Sequence, residues 1–127
     1  MRQMEIINPH LLPKIRSKPL TDAAEHMPCT ARISSFIPGY RCAGNDTVVF
    51  CHAGNLGKGV RTKVSDLCGF AGCHNCHALY DARDTRVFDI IERYPMAFSE
   101  RILAAVFETQ ARWIAMNLLS AKGMEII

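Results

Sequence analysis

The spacing of apolar positions changes along the chain, and each change marks an element. Thr47-Val48-Val49-Phe50-Cys51 is a β-branched and aromatic run, which predicts a strand ending at His52. Residues 53–63, with Gly54, Gly57 and Gly59, read as a loop. The apolar stretch from Val64 to Phe70 reads as the partner strand of a hairpin, and Gly69 and Gly72 lead from it into Cys73-His74-Asn75-Cys76-His77. From His77 to about Arg83 the residues favour a helix, with Ala78, Leu79 and Ala82 small or good formers. A break near Asp84-Thr85 leads to a further helical segment at about 86–93, which Pro95 stops. Ser99 is placed to cap a last helix and Gly123 to end it. Ile102, Val106, Trp113 and Leu118 lie close to one face of that helix, with Leu103 and Ile114 widening the stripe. Trp113 and Phe107 are expected in the core.

Ahead of these elements, Pro9, Pro13, Pro19 and Pro28 break up the first part of the chain, so no long helix fits there. Residues 1–27 are expected to form an arm, extended or partly disordered, made basic by Lys14, Arg16 and Lys18. Residues 28–127 then make one α+β domain, in which Pro38-Gly39 and Cys42-Ala43-Gly44-Asn45 mark turns. There is no internal repeat and no low-complexity tract.

A length of 127 residues and a hydrophobic content of 49% suit a single domain with a real core, one that a structural metal would help to hold. No apolar run is long enough to span a membrane and none follows Met1 as a signal peptide would, so a cytoplasmic location is expected. In that reducing compartment the six cysteines are metal ligands, catalytic thiols or small core residues rather than disulfides. A net charge of +3 supports nucleic-acid binding only weakly. Its placement says more: Lys58, Arg61 and Lys63 stand between Ala53 and Val64 with no acid among them. A glycine-bearing basic loop suits phosphate contact, and suits an ordinary solvated loop about as well.

Cys73-x-x-Cys76 puts two thiols on one turn, as two corners of a tetrahedral zinc site or as a redox pair. Cys29 and Cys42 form a second pair beside turn residues, although their thirteen-residue separation is wider than a usual knuckle. Two pairs flanking a hairpin and followed by a helix suit a treble-clef zinc site; four unrelated core residues are the plainer alternative. Cys51 and Cys68 fall in strand-like stretches and read as packed hydrophobes, with Cys68 able to stand in for one of the four. A thioredoxin-like arrangement would need a βαβ unit around the Cys-x-x-Cys, and the chain has none.

A strand ending in His, a loop, a second strand and a Cys-x-x-Cys-His that opens a helix together resemble the HNH, or ββα-metal, endonucleases. The stretch IPGYRC…VVFCHAGNLGKG…SDLCGFAGCHNCHALYDAR is similar to the small YbcO-like nucleases of lambda-type phages and prophages. A related domain occurs in a RecA-dependent phage recombination-enhancement nuclease. The resemblance covers about Cys29 to Arg86, with a weaker echo in the last helix. It implies a DNA endonuclease, acting in phage or prophage recombination or processing within the bacterial host cytoplasm, with a recombinase as a possible partner. It also implies His52 as the general base and His77 as a ligand of a catalytic Mg²⁺ or Mn²⁺, beside a structural Zn²⁺ on Cys29, Cys42, Cys73 and Cys76. Asp81, one helical turn after His77, is placed to complete the catalytic metal site, with Asp84 as a substitute. Arg83 and the loop residues Lys58, Arg61 and Lys63 would hold flanking phosphates. The chain departs from the common pattern at Cys51, where many HNH enzymes carry an Asp or His ligand; a thiol suits magnesium poorly.

Two other readings use fewer of these residues. A zinc module that binds nucleic acid without cutting keeps the four cysteines and needs neither His52 nor Asp81. A small adaptor would present Ile102, Val106 and Trp113 on its last helix to a partner protein.

Overall fold

The computed structural model describes residues 12–54 and 64–127. It is a mixed fold: a two-stranded antiparallel sheet, β1 (Val49–His52) and β2 (Gly69–Gly72), surrounded by four helices, α1 (Lys18–Ala23), α2 (His74–Tyr80), α3 (Arg86–Arg93) and α4 (Pro95–Ala115). None of the described helices is long and apolar enough to cross a membrane.

The hairpin pairs Val49 with Gly72, Phe50 with Ala71, Cys51 with Phe70 and His52 with Gly69. β1 keeps the expected β-branched and aromatic character and ends at His52 as expected, but starts two residues later than Thr47. β2 lies beyond most of the expected stretch from Val64 to Phe70. Its Gly-Phe-Ala-Gly sequence has no β-branched residue, so its strand character comes from fit. A Cβ on Gly69 would run into Phe50 Cζ and lie 2.6 Å from the Cys51 carbonyl, a closeness that only glycine allows. Thr30 closes the outer edge of β2: its N–H donates to the Ala71 carbonyl, the Ala71 N–H donates to Thr30 Oγ1, and that hydroxyl meets Thr109 Oγ1 of α4 at 2.8 Å. The buried backbone of Ala71 is thereby paired on the side away from β1.

Residues 18–27, expected within an extended arm, fold instead as α1 and a short 3-10 turn, with Leu20, Ala23, Ala24 and Met27 buried in the common core. Proline tolerates this because Pro19 sits in the first turn, where its missing N–H has no helical partner to lose, and Ser17 caps the helix by accepting from Leu20 N–H.

α4 begins at Pro95, not at Ser99: Tyr94 alone separates it from α3, so the proline that stops one helix occupies the first turn of the next. It ends at Ala115, well before Gly123. Asn117 takes the left-handed position, with its N–H on the Ile114 carbonyl and the Leu118 N–H on the Trp113 carbonyl, a Schellman closure. The buried face runs through Phe98, Ala105, Thr109 and Trp113, with Ile102 and Val106 at its edge, whereas Leu103, Phe107 and Leu118 are exposed. Phe107 therefore lies outside the core. Trp113 is fully buried, its indole N–H donating to the Leu20 carbonyl at 3.0 Å. Trp113→Ala should destabilise the domain by about 3–5 kcal/mol in urea titration, a large share of the total stability of a small domain. A loss under about 1 kcal/mol would mean that α1 and α4 do not share this core.

Candidate functional site

Four cysteines from three segments meet. Cys29 precedes Thr30, the residue that borders β2. Arg32 then turns the chain with a left-handed φ of 47°, and a 3-10 turn over Ile33–Phe36 brings it round to Cys42. Cys73 caps α2 and Cys76 lies in its first turn. The four sulfurs lie within 4.8 Å of one another, the only such group of three or more potential ligands among the described residues. A zinc–sulfur bond of about 2.3 Å sets a tetrahedral sulfur–sulfur edge of about 3.8 Å, and Cys42 Sγ stands 3.8 Å from Cys76 Sγ. The group could hold a metal ion such as zinc. The wide step from Cys29 to Cys42 is accommodated by the 3-10 turn between them. Cys68 is exposed and takes no part, contrary to its expected burial, while Cys51 is buried but also stands apart.

The surroundings suit thiolates. Cys73 N–H donates to Cys29 Sγ at 3.3 Å, Ala43 N–H to Cys73 Sγ at 3.3 Å and Ser34 N–H to Cys76 Sγ at 3.4 Å, while Ser34 Oγ lies 3.3 Å from Cys42 Sγ. Such donors favour the charged form of sulfur. Hydrogen bonding by the Cys76 thiol, helped by backbone donors, pulls Cys29 down to about 5 despite its burial. Cys76, the proton-holding partner, and Cys42, chiefly through burial, are pushed up. Protons are thus shared unevenly among the four thiols. Cys73 and Cys76 are wholly buried, which argues against a redox pair, since that chemistry needs an accessible sulfur.

α2 carries more than cysteines. It starts at His74, a turn earlier than expected, and reaches Tyr80, so His77 lies mid-helix and Asp81 is its C-cap. His77 Nε2 and Asp81 Oδ2 are 2.9 Å apart, both partly exposed. That is the ordinary length of a hydrogen bond or ion pair one helical turn apart, so the two side chains are partners of each other. Arg83 Nε is 3.9 Å from the same carboxylate oxygen, so Arg83 stands beside this pair. Asp84 instead holds Arg86 through two guanidinium contacts and is not drawn into the pair. Cys51 is 5% exposed, and its thiol is pushed up to about 12 by burial and then by the charge of Asp81. It is a neutral neighbour of the pair. Lys58, Arg61 and Lys63 lie outside the described residues.

His52, at the end of β1, does not stand alone. Its Nε2 is 2.8 Å from Oδ1 of Asp66, a buried acid just ahead of β2. Two residues further on, Gly54 N–H donates to the Tyr80 hydroxyl at 2.8 Å, fastening the exit of β1 to the end of α2. Tyr80 packs edge-on to Phe70 of β2, which fixes its ring. It also lines, with Gly54, Phe98, Ser99 and Ile102, an open cleft of about 240 Å³. Asp66 and Tyr80 both fall within the stretch from Ser65 to Arg83 that carries the resemblance, but the resemblance gives neither a role. An isolated acid following a basic loop was the only signal for Asp66.

Burial raises the Asp66 carboxyl, but hydrogen bonds from His52 and the Ser17 N–H outweigh it and hold its pKa below the ordinary carboxylate value. The stabilisation this carries is complete at neutral pH and is lost as pH falls through the folded-state pKa. In acid titrations followed by circular dichroism, wild-type stability should therefore fall more steeply below about pH 4 than that of Asp66→Asn; parallel curves would show that the two hydrogen bonds do not favour the ionised acid.

The chain matches no protein-family profile, no curated protein and no solved structure.

Proposed function

We propose that this protein is a metal-dependent DNA endonuclease of the HNH type, built on a treble-clef zinc core. The observation that carries the reading is a convergence on one short ββα unit. β1 ends in His52, and α2 carries Cys73 and Cys76 on its first turn and the His77–Asp81 pair on its last. Zinc on the four cysteines would fix α2 against the chain at Cys29 and Cys42, and the Gly54–Tyr80 bond fastens β1 to the same helix.

In phosphodiester hydrolysis His52 takes a proton from the attacking water, which a neutral imidazole does well near pH 7. His77 and Asp81 would hold Mg²⁺ or Mn²⁺, with water and phosphate oxygens filling the rest of its shell, as is usual for such ions. An ion held there would supply Lewis-acid stabilisation of the leaving oxygen. Arg83, Lys58, Arg61 and Lys63 supply cations for flanking phosphates. Processing of phage or prophage DNA in the host cytoplasm, beside a recombinase, is the setting this reading suggests.

A specific observation favours a second reading. Among the described residues only the cysteines form a group of three or more ligands, so a zinc module that binds nucleic acid without cutting it accounts for the best-formed centre. Supercoiled plasmid incubated with zinc-loaded protein decides between them: the nuclease nicks it on addition of Mg²⁺ or Mn²⁺, whereas the module shifts its mobility and leaves it intact.

A further inference from the structure

Asp66 is the one buried carboxylate among the described residues. Both its oxygens are occupied: Oδ1 faces His52 Nε2 at 2.8 Å, and Oδ2 accepts the Ser17 N–H at 2.6 Å. Its own N–H donates to the Ile15 carbonyl at 2.8 Å, and the Ile15 N–H donates to Ser65 Oγ at 3.1 Å. The carboxylate therefore has no freedom to turn away from the histidine. It is ionised at neutral pH, held so by these hydrogen bonds and by the nearby charge of Arg16. An ionised carboxylate only accepts, so His52 Nε2 must be the donor. In the neutral ring Nδ1 is then the acceptor, and it has no hydrogen-bond partner among the described residues. Phe50, edge-on at 4.9 Å, limits rotation of the ring.

We propose that Asp66 is the positioning residue for His52, locking the imidazole in the Nε2–H tautomer so that Nδ1 is the atom that takes the proton. The catalytic part of this proposal rests on the nuclease reading; the tautomer does not. Asp66 acts through His52 and touches no substrate. It also ties the reactive ring to the N-cap of α1, so the first helix bears on the site.

Asp66→Asn gives the test its sharpest form. Asparagine offers one oxygen and one NH₂ where the structure needs two acceptors. The Ser17 N–H cannot change its role, so the oxygen should turn to it and the NH₂ should face Nε2. His52 should then switch to the Nδ1–H tautomer, its remaining acceptor spent on the introduced amide. Nitrogen-15 NMR of the zinc-loaded full chain reads the tautomer directly. We expect Nε2–H in the wild type, Nδ1–H in Asp66→Asn, and a loss of plasmid cleavage of about a hundredfold or more with zinc content unchanged. Asp66→Glu keeps the carboxylate, so it should keep Nε2–H and recover part of the rate even if the asparagine variant folds poorly. A wild-type His52 in the Nδ1–H form would overturn the proposal, as would full cleavage by a tautomer-switched Asp66→Asn protein. A wild-type protein that holds Nε2–H but cuts nothing would overturn the nuclease reading and, with it, the catalytic role given to Asp66.

Discussion

Stripping zinc from this protein should unfold it rather than merely silence it. The four sulfurs join the Cys29 segment, the Cys42 turn and the start of α2, and Cys73 and Cys76 have no exposed surface. Without a cation, ionised and protonated thiols are left facing one another in a buried space, where an uncompensated charge is costly. Structural zinc sites contribute roughly 10–16 kcal/mol of binding free energy in small peptides, as much as the whole stability of a domain at roughly 5–15 kcal/mol. Protein purified without added metal should contain about one zinc per chain, and a strong chelator should abolish its cooperative thermal transition. Cys73→Ser should do the same. Cys68→Ser, on the surface and away from the cluster, should change stability by less than about 0.5 kcal/mol. A zinc-free chain that still melts cooperatively would remove the metal from the fold.

The second large effect concerns His77. The residue follows Cys76 directly, yet its Nε2 lies 2.9 Å from Asp81 Oδ2, and the four sulfurs form their group without it. His77→Ala should therefore keep its zinc and its thermal transition but lose cleavage at least about a hundredfold, since even outer partners of a metal ligand are worth roughly 10–100-fold. Raising Mn²⁺ should restore part of the rate, because affinity for the ion and not the proton acceptor has been damaged. Asp81→Ala should behave as a milder version. Elemental analysis that found zinc lost from His77→Ala would assign the histidine to the structural centre, and the non-cleaving zinc module would become the preferred reading.

The parts of this molecule that could be read ahead of its structure are those whose chemistry is local. Val49 to Cys51 is a strand because of its side-chain types, and Cys73-x-x-Cys76 is a turn with two thiols whatever surrounds it. The i, i+4 spacing of His77 and Asp81 likewise needs nothing but a helix. What escaped depends on contacts between distant residues. β2 is a strand because Gly69 lets Phe50 approach and Thr30 pairs with Ala71. α1 is stable because Leu20 finds Trp113, a partner far along the chain. The start of α4 at Pro95 hid behind a residue that signals an ending as readily as a beginning. Phe107 faces out because packing on β2 rotates the helix about Ala105, Thr109 and Trp113, a choice that periodicity left open. Asp66 was hidden most thoroughly: its importance comes from His52 and Ser17, and neither is its neighbour in sequence.

Everything in the nuclease reading converges on the proton acceptor at the end of β1, so the most direct measurement is single-turnover cleavage of supercoiled plasmid in Mn²⁺ by wild-type and His52→Gln protein, both zinc-loaded. Glutamine is the better probe than alanine, because its NH₂ can still donate to Asp66 and spare a buried carboxylate without a partner. We expect the wild type to cut. His52→Gln should bind DNA and zinc as before while cutting about 10²–10⁴-fold more slowly, the usual contribution of a general base. Cleavage by His52→Gln at the wild-type rate would contradict the mechanism, and a wild-type protein that leaves the plasmid intact in both Mg²⁺ and Mn²⁺ would contradict the function itself.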